Sequence, residues 1–178
     1  MKVVILSCSP RKGGNCDILT SAVVRLISGA EVYYSRDIEC SPCDGCGYCE
    51  RAGVCKHGDG AVALYEKLLA ADAILVIAPV YFYSFDAHTK AIIDRAQYLW
   101  HKVKDRRIPL YLIACGGQSG ENNFTYIQKV LVSCGLAIGG DYKAGLFFPS
   151  TDAVGDILRG GGVERACIAV QDWGLSNN

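Results

Sequence analysis

The feature that most constrains the fold is an alternation between short, apolar segments and longer segments with helical periodicity. The segments VVILS at 3–7, AILVIAPV at 73–80 and IPLYLIA at 108–114 are apolar at nearly every position. Such runs are typical of strands buried on both faces, the pattern of a parallel sheet covered by helices. The chain is therefore predicted to be an α/β protein.

Five predicted strands alternate with five predicted helices. The strands are predicted at 2–8, 30–35, 73–80, 108–114 and 142–148, and the helices at 16–27, 61–70, 87–100, 124–134 and 163–173. For a single domain covering residues 1–178, this pattern predicts a doubly wound, flavodoxin-like sandwich. Its parallel sheet would have the strand order 2-1-3-4-5, with helices on both faces. Ligands of such sheets bind beyond the carboxyl ends of strands 1 and 3.

Composition argues against nucleic acid and membranes as partners. The 18 basic and 18 acidic residues give a formal net charge of zero, whereas both partners attract basic surfaces. The amino-terminal segment does not resemble an export signal, and the most apolar segment, at 73–82, is too short for a membrane span. We expect a cytoplasmic protein, where clustered cysteines are more typical of metal or redox chemistry than of disulfides. Five scattered cysteines are predicted as small core residues: Cys8, Cys16, Cys115, Cys134 and Cys167.

The loop after the first strand, SCSPRKGGNC at 7–16, has the composition of a phosphate-binding loop. Its glycines permit close approach of the backbone, and the following helix presents free N–H groups and the positive end of its dipole. A serine hydroxyl, two basic side chains and an asparagine that can cap the helix complete the set. The segment matches neither the Walker nor the GxGxxG pattern, and an ordinary glycine-rich turn is the alternative. The candidate residues are Ser9, Arg11, Lys12, Gly14, Asn15 and Cys16.

Two further loops are predicted to reach the same crevice. The segment PVYFYSF at 79–85 carries four aromatic residues, which suit a planar aromatic ligand but also serve as core or oligomer contacts. The segment CGGQSGE at 115–121 follows the fourth strand, and its glycines allow close backbone approach. The candidate residues are Pro79, Val80, Tyr81, Phe82, Ser84, Gly116 and Gly117.

Residues 40–57 form a predicted cysteine-rich loop. Five cysteines fall within the sixteen residues from 40 to 55. Two-residue spacings let three sulfurs point into one concavity, and a more distant cysteine can complete the ligands of a [4Fe–4S] cluster. The residues with this spacing are Cys43, Cys46, Cys49 and Cys55. The alternatives are a set in which Cys40 replaces Cys55, a structural zinc site, and a loop without metal.

Taken together, these segments resemble the NAD(P)H-dependent FMN reductases of the flavodoxin-like superfamily, and among them the iron–sulfur flavoproteins. The resemblance covers most of residues 1–120. It is carried by SPRKGGN at 9–15, by CxxCxxCx5C at 43–55 and by APVYFYSFDAHTKAIIDR at 78–95. The last segment includes Arg95, to which the sequence alone assigns no chemistry.

The resemblance implies a division of roles among the candidate residues. The FMN phosphate would be held by Ser9, Arg11, Asn15 and the backbone through Cys16. The isoalloxazine ring would be bordered by 79–84 and by the two glycines at 116–117. Relatives commonly have Thr or Ser at the position of Cys16, and a thiol is a weaker hydrogen-bond donor than a hydroxyl.

Together with the candidate loops, the resemblance implies an FMN-dependent oxidoreductase that transfers electrons between NAD(P)H or a ferredoxin-like donor and a small-molecule or protein acceptor, via a [4Fe–4S] cluster. Two alternatives stay open: a cluster-free NAD(P)H-dependent FMN or quinone reductase, and a non-enzymatic electron carrier. No residue is assigned a catalytic role. The resemblance also implies a homodimer or homotetramer in which each cysteine loop lies near the flavin of the neighbouring chain.

Overall fold

The computed structural model describes residues 1–100, 102–103, 106–117 and 121–176, except for the side chain of Glu121. Within these ranges, each strand is followed by one or two α-helices along the chain. The strands are β1 (Val3–Ser7), β2 (Glu31–Tyr34), β3 (Ala73–Pro79), β4 (Ile108–Cys115) and β5 (Gly140–Phe148). The α-helices are α1 (Asn15–Val23), α2 (Tyr48–Ala52), α3 (Gly60–Leu69), α4 (Ala87–Asp94), α5 (Glu121–Ile138) and α6 (Gly162–Asp172).

The five strands form one parallel sheet in the order β2-β1-β3-β4-β5. This confirms the predicted flavodoxin-like topology. All positions of β1 are buried, as are the first six of the seven positions of β3. Their sequences are continuously apolar because helices cover both faces of the sheet.

Alternate residues of β1 belong to two separate cores. Val3 and Ile5 pack with the apolar sides of α1 and α6. Val4 and Leu6 point to the opposite face and pack with residues of α3, α4 and α5. Because side chains alternate along a strand, one apolar segment supplies both cores.

The predicted helix at 87–100 is shorter in the structure. Helix α4 ends at Asp94, and residues 95–99 continue as a 3₁₀ helix. The hydroxyl of Tyr65 donates to the carbonyl of Ile92 at 2.8 Å, so a side chain competes for an acceptor that α-helical hydrogen bonding would use. The 3₁₀ helix begins with Arg95, which it places beneath the cysteine loop.

Three of the scattered cysteines are core residues as predicted, whereas two are only partly buried. Cys8, Cys16 and Cys115 are buried. Cys134 is partly buried against the core, where burial raises its pKa to about 11, and Cys167 is half-buried. Among the described residues, no helix has both the length and the hydropathy that a membrane span requires.

Candidate functional site

The topology brings the predicted loops together at the carboxyl edge of the sheet. The backbone N–H of Val80 donates to the carbonyl of Cys115 at 2.7 Å, so the loops after β3 and β4 leave the edge side by side. Residues 118–120 of the predicted third loop lie outside the described residues. The loop after β5 reaches the same edge, because the N–H of Thr151 donates to the carbonyl of Gly116 at 3.0 Å. The sequence analysis did not include this fourth loop.

The loop between β1 and α1 is braced by an ion pair. Arg36 donates to both carboxylate oxygens of Asp17, at 2.9 and 3.0 Å, and to the carbonyl of Ser9 at 3.1 Å. Asp17 also accepts the backbone N–H of Gly13 at 2.8 Å. Such a bidentate pair has a defined geometry, and it therefore fixes the shape of the loop. The only sign of this ion pair that the sequence offered was Asp17, an acidic residue in the first turn of a predicted helix.

Asn15 is buried, and all the polar groups of its side chain form hydrogen bonds with the loop after β5. The amide nitrogen donates to the carbonyls of Thr151 and Ala153, both at 2.9 Å. The side-chain oxygen accepts the N–H groups of Gly155 at 2.9 Å and Ile157 at 3.4 Å. Both amide hydrogens and the oxygen thus have partners within the protein. The side chain positions a loop, and only the backbone N–H of Asn15 is left for a phosphate.

Two adjoining cavities lie over these loops, with volumes of about 270 and 360 Å³. They share Val80, Gly116 and Asp152 and form one crevice, which we call the flavin crevice. Among the described residues, the candidates Lys12 and Ser84 do not line it. The candidates that do are Ser9, Arg11, Gly14, Asn15, Cys16, Pro79, Val80, Tyr81, Phe82, Gly116 and Gly117.

The crevice has the shape and chemistry that FMN requires. A Cβ at Gly116 would come within 3.2 Å of the Phe147 ring and 3.5 Å of Val80, so a glycine lets the backbone of this wall lie close against both side chains. The first turn of α1 lies at one end with Ser9 and Arg11, which suits a phosphate. An aromatic segment lies at the other end, which suits a flavin ring. The residues therefore fit the cofactor.

Cys16 and Cys115 lie together at the wall of the flavin crevice. Both are buried, at 2% and 3% exposure. The hydrogen bond between them, together with burial, raises the pKa of Cys16 well above its usual value. Cys16 is therefore a neutral thiol here and a weak donor.

The segment after β3 forms a tight turn at the rim of the crevice. Tyr81 and Ser84 exchange both backbone hydrogen bonds at 2.8 Å, and Phe82 and Tyr83 between them have φ values of 46° and 65°. Such values are strained for bulky residues. The side chain of Phe82 is 99% exposed, while Tyr83 packs edge-on against Tyr126 at a centroid distance of 5.6 Å. The turn holds an exposed aromatic residue beside the crevice.

The four predicted ligand cysteines line a second cavity, here called the cysteine cavity. Cys43, Cys46, Cys49 and Cys55 border a space of about 450 Å³ between the cysteine loop and the 3₁₀ helix after α4. Among the described residues, no three metal-ligating side chains are close enough to hold a single ion. A zinc site needs its sulfurs within about 2.3 Å of one point, whereas a cubane cluster needs them around a volume.

Cys40 does not line the cysteine cavity. It packs against the core on the α3 to α5 face of the sheet, and its thiol donates to the carbonyl of Ser41 at 3.5 Å. Burial raises the pKa of the Cys40 thiol. The rival ligand set, in which Cys40 replaces Cys55, therefore lacks a common cavity.

Charged residues surround the cysteine cavity. Lys56 pairs with Asp44 at 2.6 Å and lowers the pKa of Asp44 to about 2. Arg95 pairs with Asp59 at 2.7 Å, and the Arg95 side chain is 1% exposed. Burial acts to raise the pKa of Asp59, but hydrogen bonds from Arg95 and from the backbone outweigh it, so the net pKa is lowered. His57 is half-buried and borders the cavity.

Comparisons with known proteins agree with this geometry. Residues 1–138 match the protein family described as NADPH-dependent FMN reductase. An iron–sulfur flavoprotein of Methanosarcina thermophila is 31% identical over 178 residues, covering 97% of this chain and 72% of that protein. An iron–sulfur flavoprotein of Methanocaldococcus jannaschii is 31% identical over 134 residues, covering 73% of this chain and 69% of its own length.

The fold has close counterparts among solved structures. The Trp repressor binding protein from Bacillus subtilis superimposes with a TM-score of 0.63 at 21% sequence identity, over 94% of this chain and 97% of that one. At this identity the likeness concerns the fold. The family match over residues 1–138 concerns the chemistry, because it includes the loops after β1, β3 and β4, which line the flavin crevice together with the loop after β5. The chain belongs to the NADPH-dependent FMN reductase family and is a flavin-dependent oxidoreductase.

Proposed function

We propose that the chain holds a [4Fe–4S] cluster in addition to FMN, and that it transfers electrons between NAD(P)H or a ferredoxin-like donor and a small-molecule or protein acceptor. The observation that carries this proposal is that the four cysteines at 43, 46, 49 and 55 line one cavity. The names of the two archaeal relatives support it. When bound, FMN supplies two-electron chemistry and a cluster supplies one-electron chemistry.

The residues of the flavin crevice bind and orient the cofactor in this proposal. Ser9 and the first N–H groups of α1 would hold the phosphate. Arg11 donates to the carbonyl of Asp152 at 3.1 Å, a contact that keeps its positive charge at the edge of the crevice. Tyr81 and Phe82 would border the ring and exclude water from one side of it.

Steady-state oxidation of NADPH and NADH tests the enzymatic part. We expect FMN-loaded protein to oxidise one of them with a quinone as acceptor, and FMN-free protein in the same quinone assay to be the inactive control. Oxidation of neither, with rapid reduction of the flavin by a reduced ferredoxin-like protein, would favour the electron carrier instead. Equal turnover with and without iron would favour a cluster-free reductase.

We also propose that the chain forms a homodimer or homotetramer. The flavin crevice and the cysteine cavity share no lining residue, and Phe82 is almost fully exposed at the crevice rim. A second copy against the aromatic turn would bury Phe82 and cover the flavin. Sedimentation velocity of flavin-loaded protein is expected to give a dimer or tetramer. A monomer over a wide concentration range would contradict this.

A further inference from the structure

Arg95 is buried beneath the cysteine loop at the start of the 3₁₀ helix after α4. Its side chain is 1% exposed, and its partner Asp59 is 15% exposed. A buried charge is strongly destabilising unless it is paired and hydrogen-bonded. Most of the acceptors that satisfy this guanidinium belong to the cysteine loop rather than to the core.

The guanidinium joins the two ends of the cysteine loop. One terminal nitrogen donates to the carbonyl of Ser41 at 2.8 Å, and the other donates to the carbonyl of His57 at 2.9 Å. Ser41 precedes the four candidate ligands and His57 follows them. Asp59 strengthens the closure, because it also accepts the backbone N–H of Ser41 at 3.0 Å. These contacts need no metal.

The same guanidinium also contacts one candidate ligand directly. The second terminal nitrogen of Arg95 lies 3.1 Å from the sulfur of Cys55 and donates to it. The Nε of Arg95 is buried and has no partner among the described residues. A positive charge that donates to a ligand sulfur favours the more negative, reduced state of an iron–sulfur cluster.

We propose that Arg95 is a positioning residue that closes the cysteine loop and raises the reduction potential of the cluster through its hydrogen bond to Cys55. This inference rests on the [4Fe–4S] cluster of the proposed function. The role proposed for Arg95 is not shared by Arg51, an exposed residue of α2 in the same loop. Arg51 contributes charge at the surface, where solvent screens it.

An Arg95→Lys variant tests the proposal, with Arg51→Lys as the matched control. Lysine keeps the charge but replaces a planar fork by a single ammonium, so it cannot reach the two carbonyls, Asp59 and the sulfur together. In an EPR-monitored redox titration of anaerobically reconstituted protein, the ratio of reduced to oxidised cluster at the wild-type midpoint should fall about tenfold, equivalent to about 59 mV. The control should leave the midpoint unchanged.

Hydrogen exchange of the metal-free protein gives a second readout that needs no cluster. Amides of residues 42–57 should exchange about tenfold faster in Arg95→Lys than in the wild type, because the loop ends are released. Arg51→Lys should not change them. Loss of the cluster from Arg95→Lys with FMN still bound would support the closure.

Several outcomes would overturn the proposal. One is a cluster midpoint potential in Arg95→Lys equal to that of the wild type. Another is hydrogen exchange of the cysteine loop at the wild-type rate in the same variant. Loss of FMN together with the cluster would make Arg95 a residue of the whole fold, which also contradicts a specific role in the loop. A wild-type protein that takes up no iron would refute the proposed function and the effect on potential, while the exchange measurement would still decide whether Arg95 closes the loop.

Discussion

A Cys55→Ala variant is expected to lose its iron and the broad visible absorbance of the cluster, whereas Cys40→Ala keeps both. Cys55 lines the same cavity as Cys43, Cys46 and Cys49, and a [4Fe–4S] cluster needs a ligand at each iron. Cys40 instead packs against the core. Iron and acid-labile sulfide in the anaerobically reconstituted variants measure the difference.

FMN content is the internal control for these variants. The cysteine cavity shares no lining residue with the flavin crevice, so the Cys55→Ala variant should bind FMN as the wild type does. The reverse pattern, with iron lost from Cys40→Ala and kept by Cys55→Ala, would establish the rival ligand set. About one zinc per chain without iron would reject both sets.

An Asn15→Ala variant is expected to unfold more easily and to bind FMN more weakly. The side chain makes four hydrogen bonds to the backbone of the loop after β5, with Thr151, Ala153, Gly155 and Ile157. Their loss should lower the free energy of unfolding by about 2–4 kcal/mol, at about 1 kcal/mol for each hydrogen bond. Because this loop lines the flavin crevice, the dissociation constant for FMN should rise about tenfold or more, equivalent to about 1.4 kcal/mol.

Two further variants separate the loop contact from other effects. Asn15→Asp keeps the acceptor but turns a carboxylate oxygen toward the carbonyls of Thr151 and Ala153, so this variant should be at least as unstable as Asn15→Ala. Its added negative charge, near the first turn of α1, should weaken binding of the FMN phosphate further. Ser21→Ala, at an exposed position of the same helix, should change neither quantity. An unfolding free energy for Asn15→Ala within about 0.5 kcal/mol of the wild type would contradict the assigned role.

The sequence was sufficient to predict the sheet because each strand carries its own evidence. Segments such as 73–80 are apolar throughout, and this pattern is local. The strand order then follows from the alternation with helices. The candidate loops at the carboxyl edge follow from the same topology, without knowledge of any side-chain contact. The break between α4 and the 3₁₀ helix could not be predicted, because it involves a hydrogen bond from Tyr65, distant in sequence.

The roles of individual polar side chains required the structure. Asn15 could be predicted as a helix cap or a phosphate ligand, but its side chain contacts residues 136 to 142 positions away. The ion pair of Arg36 with Asp17 and the contacts of Arg95 are also long-range. Sequence spacing does not predict these contacts, because the packing of the whole domain determines which side chains meet.

The metal and flavin content of anaerobically reconstituted protein tests the central claim most directly. The account predicts about four iron atoms, about four acid-labile sulfides and about one FMN per chain. One FMN with no iron or sulfide after reconstitution would contradict it, and would leave a flavin reductase whose cysteine cavity serves another purpose.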